Sequence, residues 1–290
     1  MPEAARRQTF VTQRITTRFA PSPTGRLHLG HAYSALVASH FGGGYLLRID
    51  DIDHTRCRPE YVEQIYRDLE FLGLPWQAGP RFQSDRLESY RSALELLKQR
   101  DLVYPCFLTR TELAEVLSAP QEAPIATDRA LSDVETRRRA GAGKTPAWRL
   151  RAERALQEAG DLTWHDRRRG THRPVDMTQH GDVVIARRDI GTSYHLSVVV
   201  DDALDEVSLV TRGADLEAST HVHRLLQALL ELPTPAYFHH DLVRDRAGTR
   251  LAKRNDAAGI SQLRMDGLDP TDIFALMPPL PDQLEASDDY

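Results

Sequence analysis

The sequence predicts an α/β fold in which a parallel sheet carries helices on its faces. Three observations predict it. Ile15 to Ala20 reads as a short strand that Pro21, Ser22, Pro23, Thr24 and Gly25 break. Residues 29–39 then mix small and apolar side chains in a helical pattern. Tyr45 to Ile49 is apolar enough for a buried strand. Strand, loop, helix, strand is the opening of a parallel α/β sheet.

The later elements follow from the same reasoning. Pro59 opens a helix at a position where its missing N–H costs nothing, and Tyr61, Val62, Ile65, Tyr66, Leu69 and Leu72 recur with helical period. Ser84 or Asp85 is expected to cap the next helix, whose stripe is Leu87, Tyr90, Leu94 and Leu97; residues 104–107 look extended. From 108 to 180 the chain turns rich in Ala, Pro, Glu and Arg, with a loop at 118–127, and reads as an insertion with its own small fold. Its runs Arg137-Arg138-Arg139 and Arg167-Arg168-Arg169 are either solvated faces or RNA phosphate contacts. Strand patterns return at 182–186, 196–200 and 207–210. Ser219 or Thr220 is expected to cap a helix running through Glu231, and beyond Gly259 an acidic, proline-containing tail is expected.

Composition narrows the classes of function. The 290 residues supply ample material for a core, and a net charge of −5 gives no global basic field, so any nucleic-acid contact must be local. Cys57 and Cys106 are too few for a disulfide framework or a four-thiolate zinc site, which suits a reducing compartment. Residues 1–13 are polar, and no stretch approaches a membrane span. A cytoplasmic protein with no membrane association is expected.

Four segments carry chemistry. Residues 18–25, Arg-Phe-Ala-Pro-Ser-Pro-Thr-Gly, lead into His28-Leu29-Gly30-His31, a strand and turn before a helix N-terminus that favours an anion. Gly30 leaves room for a ligand against the backbone. Two histidines one turn apart also suit a metal or simple packing. Arg48-Ile49-Asp50-Asp51-Ile52-Asp53 is an acidic cluster past a buried strand, where open sheets place ligands; it suits an ammonium group, a magnesium ion, or only a solvated loop. Tyr194 to Asp202 followed by Arg212-Gly213-Ala214-Asp215 puts a tyrosine and a carboxylate-gripping arginine at expected strand ends, for a small polar ligand or a structural ion pair. Arg250-Leu251-Ala252-Lys253-Arg254 is a basic loop in a chain with only three lysines, and its lysine is a compact charge suited to a triphosphate.

In order, wording and spacing these segments resemble the catalytic domain of class I glutamyl-tRNA synthetases, over about residues 18–255. Residues 18–25 and 28–31 match the family's strand and "HIGH" motif, 48–53 its "RIEDTD" segment, and Gln83-Ser84-Asp85-Arg86 with Tyr90 its "QSxR…Y" helix start. Tyr194 with Arg212-Gly213 matches its amino-acid-binding stretch, and 250–254 its "KMSKS" loop. The resemblance implies a Rossmann-type catalytic domain in two halves, 14–107 and 181–262, an inserted acceptor-binding-like subdomain at 108–180, and a tail at 263–290. Only about thirty-five residues follow Lys253, so no anticodon-binding domain is expected, and the shortness resembles the branch that glutamylates queuosine in tRNA(Asp).

The roles implied are these. Arg18, Ala20, Ser22, Tyr194 and Arg212 hold L-glutamate, and Asp50 faces its α-amino group. His28, Gly30, His31, Arg250 and Lys253 bind ATP, which Mg2+ accompanies; His28, His31 and Lys253 serve catalysis, and Lys253 neutralises the leaving phosphates. The partners implied are L-glutamate and queuosine-bearing tRNA(Asp), with a monomer expected. Three departures stand out. Asp50 replaces the family's glutamate. Leu108 stands where the second cysteine of a Cys-x-Cys zinc pair belongs, so no zinc is expected. Arg250 and Ala252 alter the basic loop. Two alternatives are a compact enzyme charging a tRNA 3′ end and a non-catalytic paralogue that only binds glutamate or tRNA.

Overall fold

The computed structural model describes residues 15–109, 111–113, 131–244 and 259–282. Its first half alternates strands and helices as expected: β1 (Arg18–Phe19), α1 (Leu29–Gly42), β2 (Leu46–Ile49), α2 (Pro59–Phe71), β3 (Gln77–Phe82) and α3 (Leu87–Gln99). Gly43, at φ 59°, ends α1 in the left-handed conformation that glycine adopts without strain. β1, β2 and β3 pair in parallel. Neither Ser84 nor Asp85 caps α3: residues 83–86 form a 3-10 turn, and the Ser84 amide and hydroxyl donate instead to the Asp51 carboxylate at 2.8 and 2.7 Å.

After β4 (Val103–Cys106) come α4 (Asp133–Gly141), β5 (Ala147–Leu150), α5 (Ala152–Ala159), β6 (Thr163–Asp166), β7 (Thr171–Pro174) and β8 (Val184–Ala186). Strand β5 lies antiparallel between β4 and β8, so residues 108–180 do not close on themselves. Strands β6 and β7 form an antiparallel pair, and β6 lies parallel to β10 (Ala236–His240), where the Arg167 amide donates to the Tyr237 carbonyl at 2.8 Å. The stretch also shares a core with the second half, because Leu150 and Ala155 pack in one cluster with Val198, Val222 and Leu225.

Residues 196–200, expected as a strand, lie in helix α6 (Tyr194–Leu204). The β-branched run is buried on every side from Leu196 to Asp202, and a segment without a polar face carries no period to separate helix from strand. Ser193 Oγ accepts from the Leu196 amide and starts the helix. Tyr194 therefore sits on a first helical turn, not at a strand end. Next come β9 (Leu209–Gly213) and α7 (Ser219–Leu229). Neither Ser219 nor Thr220 caps α7, because the cap position is Ala218 and Thr220 Oγ1 turns inward to Arg212.

β9 and β10 pair in parallel, and the Ser208 and Leu209 amides both donate to the Thr16 carbonyl, which brings β9 beside β1. The strands thus run β3, β2, β1, β9, β10, β6, β7. The chain crosses over between β1 and β9, the topological switch point at which doubly wound sheets bind ligands. Alternate residues of β9 and β10 serve opposite faces: Leu209 and Phe238 join the α1 core, while Val210 and Tyr237 pack with Trp164. The described C-terminal segment is docked on the body: Ile260 of α8 (Ile260–Met265) and Ile273 of α9 (Pro270–Ala275) are buried in the α1 core, and Tyr33 donates to the Pro279 carbonyl at 3.0 Å.

Candidate active site

A cleft of about 440 Å³ opens at that switch point. It gathers the described residues singled out from the sequence: Arg18, Ala20, Ser22, His28, Gly30, His31, Asp50, Tyr194 and Arg212 all line it. Arg250 and Lys253 lie outside the described residues. On either side of that segment, however, Val243 lines the cleft and Gly259 bridges to His28.

The helix start is built by its own histidines. His28 Nδ1 accepts from the Gly30 amide at 3.1 Å, and His31 Nδ1 accepts from the His28 amide at 3.2 Å, a capping box made of two imidazoles. The rings stack with centroids 3.7 Å apart. With Nδ1 accepting, each neutral ring carries its proton on Nε2. Among the described residues no group of three His, Cys, Asp or Glu is placed to hold a metal ion. Cys106 packs in an apolar cluster with Tyr104 and Leu108.

Beneath the cleft lies a buried charge network. Asp202 Oδ1 accepts from Arg18 Nε at 3.1 Å and from Arg48 Nη1 at 2.6 Å. Arg48 Nε donates to Asp50 at 2.8 Å, and Arg18 Nη1 donates to the Thr211 carbonyl at 3.0 Å. Burial pushes the Asp50 carboxyl up to about 6, against the pull of Arg48. Burial also raises Asp202, but Arg18 and Arg48 outweigh it and hold Asp202 below the usual carboxylate range. Behind them, Asp201 accepts from Tyr90 and Gln83, both at 2.7 Å. The "QSxR…Y" residues thus brace the floor of the site.

Arg212, at the end of β9, has a different environment. It donates to His239, His223 and Thr220, and its guanidinium carbon sits 5.4 Å from the Tyr237 ring centroid. All of these partners are neutral side chains. The cleft also holds residues that the sequence reading did not single out. Ser34 Oγ lies 3.0 Å from His240 Nε2, and both side chains line the cleft. The end of β10 carries no motif, and only its position beside β9 identifies His240. The arginine runs lie elsewhere. Arg168 pairs with Asp241, Arg169 with Asp166 and Glu217, and Arg138 and Arg139 with Glu135.

The cleft at the switch point of this doubly wound sheet, entered by a histidine-capped helix, lies within a class I synthetase catalytic domain. Residues 14–278 match the family model described as tRNA synthetases class I (E and Q), catalytic domain, and the chain belongs to that family. The chain is 48% identical over 276 residues to the Glutamyl-Q tRNA(Asp) synthetase of Rhodobacter capsulatus, a match covering 91% of this chain and 99% of that protein. It is 39% identical over 268 residues to the glutamate–tRNA ligase of Thermosynechococcus vestitus, covering 87% of this chain and 54% of the ligase. The crystal structure of a glutamate–tRNA synthetase from Elizabethkingia anophelis superposes with a TM-score of 0.70 at 27% identity, covering 83% of this chain and 53% of that one. The chain thus spans about half the length of these two.

Proposed function

We propose that this chain activates L-glutamate with ATP and transfers it to queuosine in the anticodon of tRNA(Asp). The observation that carries the reading is the cleft itself. One site gathers a guanidinium ringed by neutral partners, Arg212, a buried carboxylate, Asp50, and a histidine-capped helix N-terminus. These suit the side-chain carboxylate, the α-ammonium and the phosphates respectively. The higher identity to the glutamyl-Q relative than to the ligase supports the choice of acceptor.

In the first step the glutamate α-carboxylate oxygen bonds to the α-phosphorus of ATP, the bond to the bridging oxygen breaks, and pyrophosphate leaves. A carboxylate ionised at neutral pH needs no general base, so catalysis is positioning and charge stabilisation. Arg18, Ala20, Ser22, Tyr194 and Arg212 hold the amino acid. His28, Gly30 and His31 receive ATP through the helix N-terminus, and Arg250 and Lys253 meet the leaving phosphates. Magnesium bound with the ATP would supply charge neutralisation on those phosphates. In the second step a queuosine cyclopentenediol oxygen attacks the activated carbonyl, an ester forms, AMP leaves and the hydroxyl proton passes to solvent. The base must first be splayed from its stack.

The domain division proposed is a catalytic unit of 14–107 and 181–262 with 108–180 inserted. We take the protein to act as a cytoplasmic monomer. Among the described residues no helix is long and apolar enough to cross a membrane. Transfer of labelled glutamate to tRNA(Asp) with and without queuosine tests the reading, with tRNA(Glu) and labelled aspartate as comparisons. Queuosine-dependent labelling by glutamate is expected. Labelling of tRNA(Glu) would make this a 3′-end charging enzyme, labelling by aspartate would mean that Asp50 has re-tuned the pocket, and no labelling would favour a paralogue that only binds.

A further inference from the structure

Among the described residues, three guanidinium groups other than Arg212 line the cleft, and each has a carboxylate partner: Arg18 pairs with Asp202, Arg48 with Asp50, Asp201 and Asp202, and Arg56 with Asp53. Arg212 pairs with no carboxylate among the described residues. Its Nη1 donates to His223 Nδ1 at 3.0 Å, its Nη2 to Thr220 Oγ1 at 2.7 Å, and its Nε to His239 Nε2 at 3.3 Å. A guanidinium has five N–H groups, so these three bonds leave two for a ligand.

The hydrogen bonds also fix tautomers. Arginine only donates, so His223 Nδ1 must accept and its proton sits on Nε2. That N–H faces His195 Nδ1 at 3.1 Å, so His195 accepts in turn and carries its own proton on Nε2. Thr220 accepts from Arg212 and so is left to donate to His239 Nε2, 3.1 Å away. Thr220 and His223 stand three residues apart on one face of α7, and both are buried, at 0% and 2% exposure. Burial first, then the neighbouring Arg212, holds His223 well below its ordinary value, so the ring stays neutral.

We infer that His223 is a positioning residue that sets amino-acid specificity: its neutral imidazole aims Arg212 without cancelling its charge, so that the arginine selects a side-chain carboxylate over an amide. The inference rests on the proposal that Arg212 meets the glutamate side chain. A carboxylate in place of His223 would aim Arg212 equally well but neutralise it, and an alkyl group would leave it held by Thr220 and His239 alone.

Amino-acid-dependent ATP–pyrophosphate exchange tests this with wild type, His223→Asn, His223→Asp and His223→Leu, varying glutamate, glutamine and ATP separately. Asparagine offers an oxygen near the Nδ1 position, so KM for glutamate should stay within about threefold of wild type. His223→Leu should raise that KM roughly 10- to 100-fold while KM for ATP stays put. His223→Asp should shift the glutamine-to-glutamate ratio of kcat/KM toward glutamine by at least roughly tenfold. The asparagine and aspartate variants are nearly the same shape and both offer Arg212 an oxygen, but only aspartate carries a charge, so the pair decides the matter even if the leucine variant fails to fold. Aspartate and asparagine variants with the same glutamate-to-glutamine ratio would overturn the inference. A wild type that activates neither amino acid would instead remove the functional reading, and the specificity claim with it.

Discussion

Asparagine at position 202 is the sharpest probe of the charge network under the cleft. The substitution keeps the shape and one acceptor oxygen but removes the charge. Arg18 would then keep hydrogen bonds to that oxygen and to the Thr211 carbonyl but lose its charged partner, while Arg48 would keep its ion pairs with Asp50 and Asp201. The side chains of Arg18 and Asp202 are 7% and 8% exposed, so water cannot replace the lost partner cheaply. Removing one partner of a buried pair costs about 3–5 kcal/mol, and the retained hydrogen bond returns about 1 kcal/mol, leaving a loss of about 2–4 kcal/mol. At about 2–4 °C per kcal/mol for a chain approaching this size, Tm should fall by roughly 5–15 °C. Glu158→Gln, which breaks an ion pair whose side chains are 37% and 35% exposed, is the control and should cost at most about 1 kcal/mol. The pH dependence has a definite sign. Asp202 is held below its unfolded pKa, so its contribution is present above that pKa and is lost as pH falls through the folded value. The gap between wild type and variant should therefore close in acid and stay constant from neutral pH upward. A melting loss no larger than the control's, or a gap that widens in acid, would show that Asp202 does not hold Arg18 and Arg48 as a charge.

Three further outcomes are expected. Asp50, raised to about 6, must be ionised to hold an ammonium group, so kcat/KM for glutamate in the exchange assay should rise with pH through about 6. Asp50→Asn should be slower at neutral pH and lack that limb; a limb that persists would assign it to another group. For stability the sign is opposite: the raised pKa favours folding below the unfolded value, and that contribution is lost as pH rises through about 6. Cys106 lies in an apolar cluster with Tyr104 and Leu108, so a zinc chelator followed by dialysis should leave Tm unchanged, and a fall of several degrees would place a structural metal in this protein. Lys253→Ala should slow adenylate formation far more than it weakens glutamate binding, and an unchanged exchange rate would remove Lys253 from the mechanism.

By itself the sequence determined part of the cleft's lining. The wording from Arg18 to His31 and from Arg48 to Asp53, together with Tyr194 and Arg212, named many of the described residues that line the cleft but not Ser34 or His240, because a turn and a helix start are local features legible from neighbours in the chain. It determined the opening strands and helices for the same reason: a period of 2 or 3.6 is written in consecutive residues. Tertiary structure decided three things that no local pattern holds. It made residues 196–200 a helix, because burial on every side erases the period. It joined β6 to the parallel sheet through a single pairing with β10. It also brought Asp202 onto Arg18 and Arg48, 184 and 154 residues away, and wrapped Arg212 in neutral histidines from α7 and β10. Which charges are cancelled and which are kept for a ligand depends on the order of strands in the sheet, and that order is fixed only when the whole chain packs.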